Sequence, residues 1–82
     1  MIQEIQTQLM DIWENVLDIK IEDLHENFFS LGGNSMHALE IAEIISKKWN
    51  ITFTLMDFFN ATTIFDLSKA ISNQLGYATS TV

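Results

Sequence analysis

The chain has 82 residues, enough for one small domain but with little room for a cavity and its walls. Eleven acidic residues against four lysines give a net charge of −7, so the chain lacks the basic surface that nucleic-acid binding requires. No apolar run approaches the roughly 20 residues of a membrane span, no signal peptide is visible, and no cysteine is present for disulfides or thiolate metal sites. A cytoplasmic protein is expected.

The first element is predicted to be a helix over residues 2–18. Apolar side chains recur there at steps of three and four and therefore share one helical face. They are Ile2, Ile5, Leu9, Ile12, Val16 and Ile19, with Trp13 and Leu17 widening that face. Residues 20–34 lack this period and are predicted to form a long loop. We expect Phe28, Phe29 and Leu31 in this loop to be buried, since large apolar groups in a loop are costly unless they pack.

A second helix is predicted over residues 35–49, with Asn50 at its end. The residues on its apolar side are Ala38, Ile41, Ala42, Ile45 and Trp49. The residues on its opposite side are Met36, Glu40, Glu43 and Lys47. Met36 is therefore an apolar residue on a polar face.

Two further helices are predicted from capping-box spacings. Thr54 with Asp57 begins a short helix through about Asn60, and Thr63 with Asp66 begins one through about Leu75. Gly76 is a plausible stop, and residues 77–82 are expected to be a flexible tail or linker. The sequence thus predicts an all-α fold: a monomeric four-helix bundle over residues 1–76, with three long helices, a short third helix and a long first loop.

A hydroxyl stands where the long loop becomes the second helix. Either Ser35 or Asn34 could cap this helix, but Ser35 has Ala38 three residues on, so no reciprocal capping box ties up its hydroxyl. The run partly matches the G-x-S-x-G nucleophile elbow, yet His37 replaces the second glycine and no strand precedes it. A serine hydrolase is disfavoured, and we interpret Ser35 as a covalent attachment point.

The helix that follows this serine carries an acidic, partly apolar outer face. Glu40 and Glu43 lie one turn apart, but they project away from the apolar side and have no companion ligands, so a solvated face is favoured over a metal site. Met36 adjoins Ser35 and shares the accessible face with both acids. This arrangement favours a surface for docking a partner.

The run Phe-Phe-Ser-Leu-Gly-Gly-Asn-Ser-Met, from Phe28 to Met36, resembles the phosphopantetheine attachment motif of carrier domains. It is most similar to the peptidyl carrier (thiolation) domains of nonribosomal peptide synthetases. The resemblance spans nearly the whole chain, because Ile12–Leu17 resembles the family's first helix. Phe53–Phe59 and Ile64–Leu67 resemble its third and fourth helices.

The resemblance implies a carrier rather than an enzyme. A phosphopantetheinyl transferase would move the 4′-phosphopantetheine arm from coenzyme A to Ser35, with Mg²⁺ held mainly at the transferase. The thiol of the arm would then hold aminoacyl, peptidyl or acyl groups as thioesters for adenylation, condensation, ketosynthase or thioesterase domains. The residues that the resemblance assigns to partner docking are Asn34, Met36, Leu39, Glu40, Glu43 and Met56.

The sequence departs from the family pattern at two positions. Asn34 stands where Asp or His is common before the serine, and Thr62 stands where proline is common before the fourth helix, which is expected to loosen that connection. Two alternatives remain open at this point: a polyketide or fatty-acid type of acyl carrier, and an unmodified acidic helical interaction module. The sequence does not decide between a free-standing protein and part of a synthase.

Overall fold

The computed structural model describes residues 2–76 and shows four α-helices with no strand among these residues. The helices are α1 (Ile2–Leu17), α2 (Ser35–Trp49), α3 (Leu55–Phe59) and α4 (Ile64–Leu75). The predicted all-α bundle with a short third helix and a long first loop is therefore confirmed. The predicted tail, residues 77–82, lies outside the described residues. Within the described part, no helix is both long and apolar enough to cross a membrane.

Three of the helices are followed by a residue in the left-handed conformation. α1 ends one residue earlier than predicted, because Asp18 adopts a left-handed conformation with φ of 57°. Asn50 does the same after α2, with φ of 55°, and Gly76 after α4, with φ of 80°. These positions confirm the predicted ends of α2 and α4.

The two predicted threonine caps are both present. Thr54 accepts from the Asp57 N–H at 3.2 Å, and the Asp57 carboxylate accepts from the Thr54 N–H at 2.9 Å, which completes a capping box. Thr63 accepts from the Asp66 N–H at 3.0 Å, and within the described residues the reciprocal bond is not formed. Both hydroxyls are thus engaged at the N-termini of α3 and α4.

Aromatic side chains from three elements meet at the centre of the core. The Trp13 ring lies 5.0 Å from the Phe28 ring, and the Phe28 ring lies 4.8 Å from the Phe58 ring, both in edge-to-face contact. Trp13 is therefore central rather than at the edge of the α1 stripe. The other buried apolar residues are Ile5, Leu9, Ile21, Ala38, Ile41, Ala42, Ile45, Phe53, Ala61, Ile64, Leu67 and Ile71.

The long first loop is fixed to the start of α4. The Phe65 N–H donates to the Leu24 carbonyl at 3.0 Å, and the Phe28 N–H donates to the Thr62 carbonyl at 2.8 Å. The Asn27 amide donates to the Thr62 hydroxyl at 2.9 Å. The expectation that Thr62 loosens this connection is therefore wrong, since its side chain makes a bond that the ring of a proline could not make.

All three large apolar residues of the loop were expected to be largely buried, and Phe28 and Leu31 do pack in or against the core, whereas Phe29 is exposed. Phe28 is fully buried, Leu31 is half-buried, and Phe29 is 39% exposed. Phe28 and Phe29 are consecutive residues of a turn, so when one ring enters the core the other is turned towards the surface. The Phe29 ring instead lies 5.3 Å from Phe28 and stacks on the Phe59 ring at 5.8 Å.

Candidate functional site

The junction between the loop and α2 is built around the Phe28 ring. The Gly33 backbone lies directly against this ring, so a Cβ at position 33 would overlap three of its carbons. The Gly33 N–H also donates to the Phe28 carbonyl at 3.2 Å. Gly32 has a φ of 98°, which favours glycine. These two glycines bring the backbone close to the core immediately before Asn34 and Ser35.

Asn34, and not Ser35, is the N-cap of α2. Its backbone is extended, with φ of −136° and ψ of −178°, and its side-chain oxygen accepts from the His37 N–H at 3.0 Å. In return, His37 Nδ1 accepts from the Asn34 N–H at 3.3 Å. This reciprocal box was not predicted from the sequence, because its third position holds histidine instead of the usual glutamate or glutamine. It resolves the open choice between Ser35 and Asn34.

Ser35 is the first helical residue and is exposed. Its hydroxyl makes no hydrogen bond to any of residues 2–76. The side chains of Asn34 and His37 instead each accept from the backbone N–H of the other residue. An accessible oxygen thus lies at the positive end of a helix dipole, where a linked anionic group would be stabilised.

Both histidines of the chain make contacts with groups other than the Ser35 hydroxyl. His37 already uses Nδ1 to accept from the Asn34 backbone. His25 stacks on the Phe65 ring, with the centroids 4.6 Å apart. No cluster of metal-ligating side chains occurs in the described part of the chain. General-base catalysis needs a base within hydrogen-bond reach, and none of residues 2–76 forms a hydrogen bond with the Ser35 hydroxyl.

Exposed apolar side chains occur on the elements around this junction. In α2, Met36 is 74% exposed and Leu39 is 42% exposed, and in α3 Met56 is 68% exposed. Phe29 and Phe59, each 39% exposed, join the loop to α3 through their stacked rings. Met36, Leu39 and Met56 are among the residues expected to dock partners, whereas the exposure of Phe29 and Phe59 was not predicted. The signal available in the sequence was two separate pairs of consecutive phenylalanines. In the structure, one member of each pair is buried and the other is exposed.

The charged side chains near the junction are acidic. Residues 21–46, which include most of the loop and most of α2, contain no lysine or arginine. Glu40 and Glu43 are both exposed on α2, whereas Lys47 and Lys48 lie in its last turn. A partner that approaches Ser35 therefore meets apolar side chains bordered by negative charge.

Comparisons with known proteins show the family of the chain. The family model described as phosphopantetheine attachment site matches residues 7–71. Tyrocidine synthase 2 of Brevibacillus parabrevis is 36% identical over 70 residues, which is 85% of this chain and 2% of that protein.

Two solved structures have the same fold. NpsA-ThdA, an artificially fused adenylation-PCP di-domain NRPS from Klebsiella oxytoca, is similar with a TM-score of 0.75 and 32% identity over 84% of this chain and 13% of that chain. A peptidyl carrier protein in complex with the phosphopantetheine transferase Sfp and coenzyme A is similar with a TM-score of 0.79 and 26% identity. That similarity covers 84% of this chain and 90% of that one.

The fold and these similarities together define the class of protein to which the chain belongs. The chain belongs to the phosphopantetheine attachment site family. It is a carrier domain homologous to the thiolation domains of nonribosomal peptide synthetases, with 4′-phosphopantetheine as its covalent cofactor. Like the rest of this family, it bears the substrate and does not catalyse the reaction itself. The chain spans about 2% of the length of tyrocidine synthase 2.

Proposed function

We propose that Ser35 is the residue that carries the 4′-phosphopantetheine arm. The observation that supports this assignment is its exposed hydroxyl, which makes no hydrogen bond within residues 2–76 and lies at the first position of α2. Ser35 also lies inside the segment that the family model matches. The free N–H groups at this helix end would favour the negative charge of a phosphodiester.

The residues around Ser35 fit attachment by a partner enzyme. The Ser35 oxygen would form a bond to the phosphorus of the arm while the bond from that phosphorus to the rest of coenzyme A breaks. The hydroxyl proton would pass to a base of the transferase, because the imidazole of His37, two residues along the chain, is engaged with the Asn34 backbone. Once attached, the arm supplies a thiol that holds a carried group as a thioester.

The docking surface for partners comprises the apolar and acidic side chains around the junction. The residues that we assign to it are Asn34, Met36, Leu39, Glu40, Glu43 and Met56, together with Phe29 and Phe59. Partial exposure of the apolar members supports the assignment, since an apolar patch with a polar rim is the usual anatomy of a protein interface. The acidic members would attract a basic partner and speed the encounter.

The carried groups are proposed to be aminoacyl or peptidyl thioesters that pass between domains of a nonribosomal peptide synthetase or a hybrid assembly line. The similarity to tyrocidine synthase 2 and to an adenylation-PCP di-domain supports this subtype over a polyketide or fatty-acid acyl carrier. The partners would be a phosphopantetheinyl transferase and adenylation, condensation, ketosynthase or thioesterase domains. A monomeric state and a cytoplasmic location remain predictions from the sequence.

Mass spectrometry tests the attachment residue directly. The chain is incubated with coenzyme A, Mg²⁺ and the transferase Sfp, and the intact protein should gain the mass of one phosphopantetheine group. Ser35→Ala should abolish the gain, whereas Ser30→Ala, which removes another exposed hydroxyl of the same loop, should not. A mass gain that persists in Ser35→Ala would show that the arm is attached to another residue. No gain in the wild type would favour the unmodified interaction module.

A further inference from the structure

The Asn27 side chain connects two segments that are far apart in the sequence. Its oxygen accepts from the Phe29 N–H at 2.8 Å, and its amide nitrogen donates to the Thr62 hydroxyl at 2.9 Å. The Phe28 N–H donates to the Thr62 carbonyl at 2.8 Å. Thr62 thus receives one donor at its carbonyl and one at its hydroxyl, both from the loop that leads to Ser35.

A short series of contacts leads from Thr62 to Ser35. The Phe28 carbonyl accepts from the Gly33 N–H at 3.2 Å, and the Gly33 backbone lies on the Phe28 ring. Asn34 and Ser35 follow Gly33 directly in the chain. The position of the Ser35 hydroxyl therefore depends on where Phe28 is held. Phe28 is held by the backbone carbonyl of Thr62 and by its neighbour Asn27, whose amide donates to the Thr62 hydroxyl.

We infer that the hydrogen bond between Asn27 and Thr62, here called the 27–62 clamp, positions the loop so that Ser35 is presented for modification. The inference rests on the proposed attachment at Ser35. Thr62 and Asn27 are positioning residues, since neither would touch the reacting atoms. The clamp connects the loop to the residue that precedes the N-cap of α4. It therefore influences the fraction of molecules in which the loop adopts its ordered conformation.

The size of the effect follows from the strength of one such bond. An exposed intramolecular hydrogen bond shifts an equilibrium by about 2- to 10-fold in net terms. Loss of the clamp should raise the population of loop conformations in which Ser35 is misplaced. A transferase that binds only the ordered loop would then show a higher apparent KM with an unchanged kcat.

The adjacent threonine provides a matched control. The Thr63 hydroxyl accepts from the Asp66 N–H within α4 and makes no hydrogen bond to the loop. Thr62→Val and Thr63→Val therefore remove the same hydroxyl from neighbouring residues, one from the clamp and one from a helix cap. Thr62→Ser keeps the hydroxyl and should restore the clamp.

Hydrogen exchange measures the loop, and modification kinetics measure its consequence. In Thr62→Val, the exchange protection of the Phe28 and Gly33 amides should fall by about 2- to 10-fold, while that of the α1 amides stays close to wild type. With coenzyme A as the second substrate, the KM of Sfp for the chain should rise by up to about 10-fold at constant kcat. Thr62→Ser should behave as the wild type in both measurements, and Thr63→Val should leave the KM unchanged.

Each outcome bears on the inference separately from the attachment itself. If Thr62→Val is modified with wild-type KM, or if Thr63→Val raises the KM equally, the clamp does not position Ser35. A fall in amide protection without a change in KM also overturns the inference, because the clamp would then be structural only. Failure of the attachment proposal would look different: the wild type would gain no mass, or Ser35→Ala would still be modified.

Discussion

The two consecutive phenylalanines of the first loop should differ sharply in their contribution to stability. Phe28 is fully buried between Trp13, Phe58 and Gly33, and truncation of such a residue to alanine costs about 3–5 kcal/mol. Full burial of such a side chain stabilises a protein by about 1.5–3 kcal/mol. Phe29 keeps 39% of its surface exposed, so Phe29→Ala should lower the free energy of unfolding by only about 1–2 kcal/mol.

Urea denaturation followed by circular dichroism measures both free energies of unfolding. The m-values of the wild type and of both variants should agree, which shows that the same surface is exposed on unfolding. In a domain of this size each kcal/mol moves the melting temperature by roughly 4–8 °C. The gap of about 1–4 kcal/mol between Phe28→Ala and Phe29→Ala should therefore appear in a thermal melt as a difference in melting temperature of about 4–30 °C.

Equal losses in the two variants would refute the assignment of Phe28 as the anchor of the loop. If Phe28→Ala does not fold, Phe28→Leu and Phe29→Leu give the same comparison, with a smaller loss of stability in each variant. Phe28→Leu should still be the more destabilised of the pair, since only Phe28 makes edge-to-face contacts with two core rings.

Two further predictions concern the site. Gly33→Ala should lower the free energy of unfolding by about 1–3 kcal/mol, because the added methyl group must displace the Phe28 ring; wild-type stability in a urea titration would show that the ring moves aside freely. Glu40→Lys should lower kcat/KM for modification by Sfp several-fold at low salt, with the difference shrinking as salt is added. Asp11→Lys on α1 makes the same change of charge and should leave the rate close to wild type, and an equal loss there would indicate an effect of net charge alone.

Local signals in the sequence were sufficient for the helices. The bounds of α2 followed from its apolar period together with Asn50, whose left-handed conformation ends the helix. The starts of α3 and α4 followed from Thr54 and Thr63, each with an aspartate three residues on. These features depend on residues close together in the chain, and the contacts that produce them can be inferred from spacing alone.

Two of the errors depend on residues far apart in the chain, and a third concerns an unusual residue in a local cap. Phe29 was predicted to be buried, but its partner is Phe59 at the surface, and no local pattern pairs these two rings. Thr62 was expected to loosen a connection that it secures through Asn27, 35 residues earlier. His37 was missed as a capping partner because an imidazole accepts through Nδ1 only in one tautomer, and sequence signatures of the box do not include it.

The availability of the Ser35 hydroxyl follows from the position of the α2 cap. Thr54 and Thr63 stand at the N-cap of their helices, and there each hydroxyl accepts a backbone N–H of its own helix. At α2 the N-cap is Asn34, the residue before the serine. The side-chain oxygen of Asn34 accepts the backbone N–H there, and Ser35 is the first helical residue. A shift of the cap by one residue would engage the serine as it engages the two threonines. The asparagine before the serine thus keeps the helix capped while the Ser35 hydroxyl makes no hydrogen bond to residues 2–76, as the proposed attachment of a group at Ser35 requires.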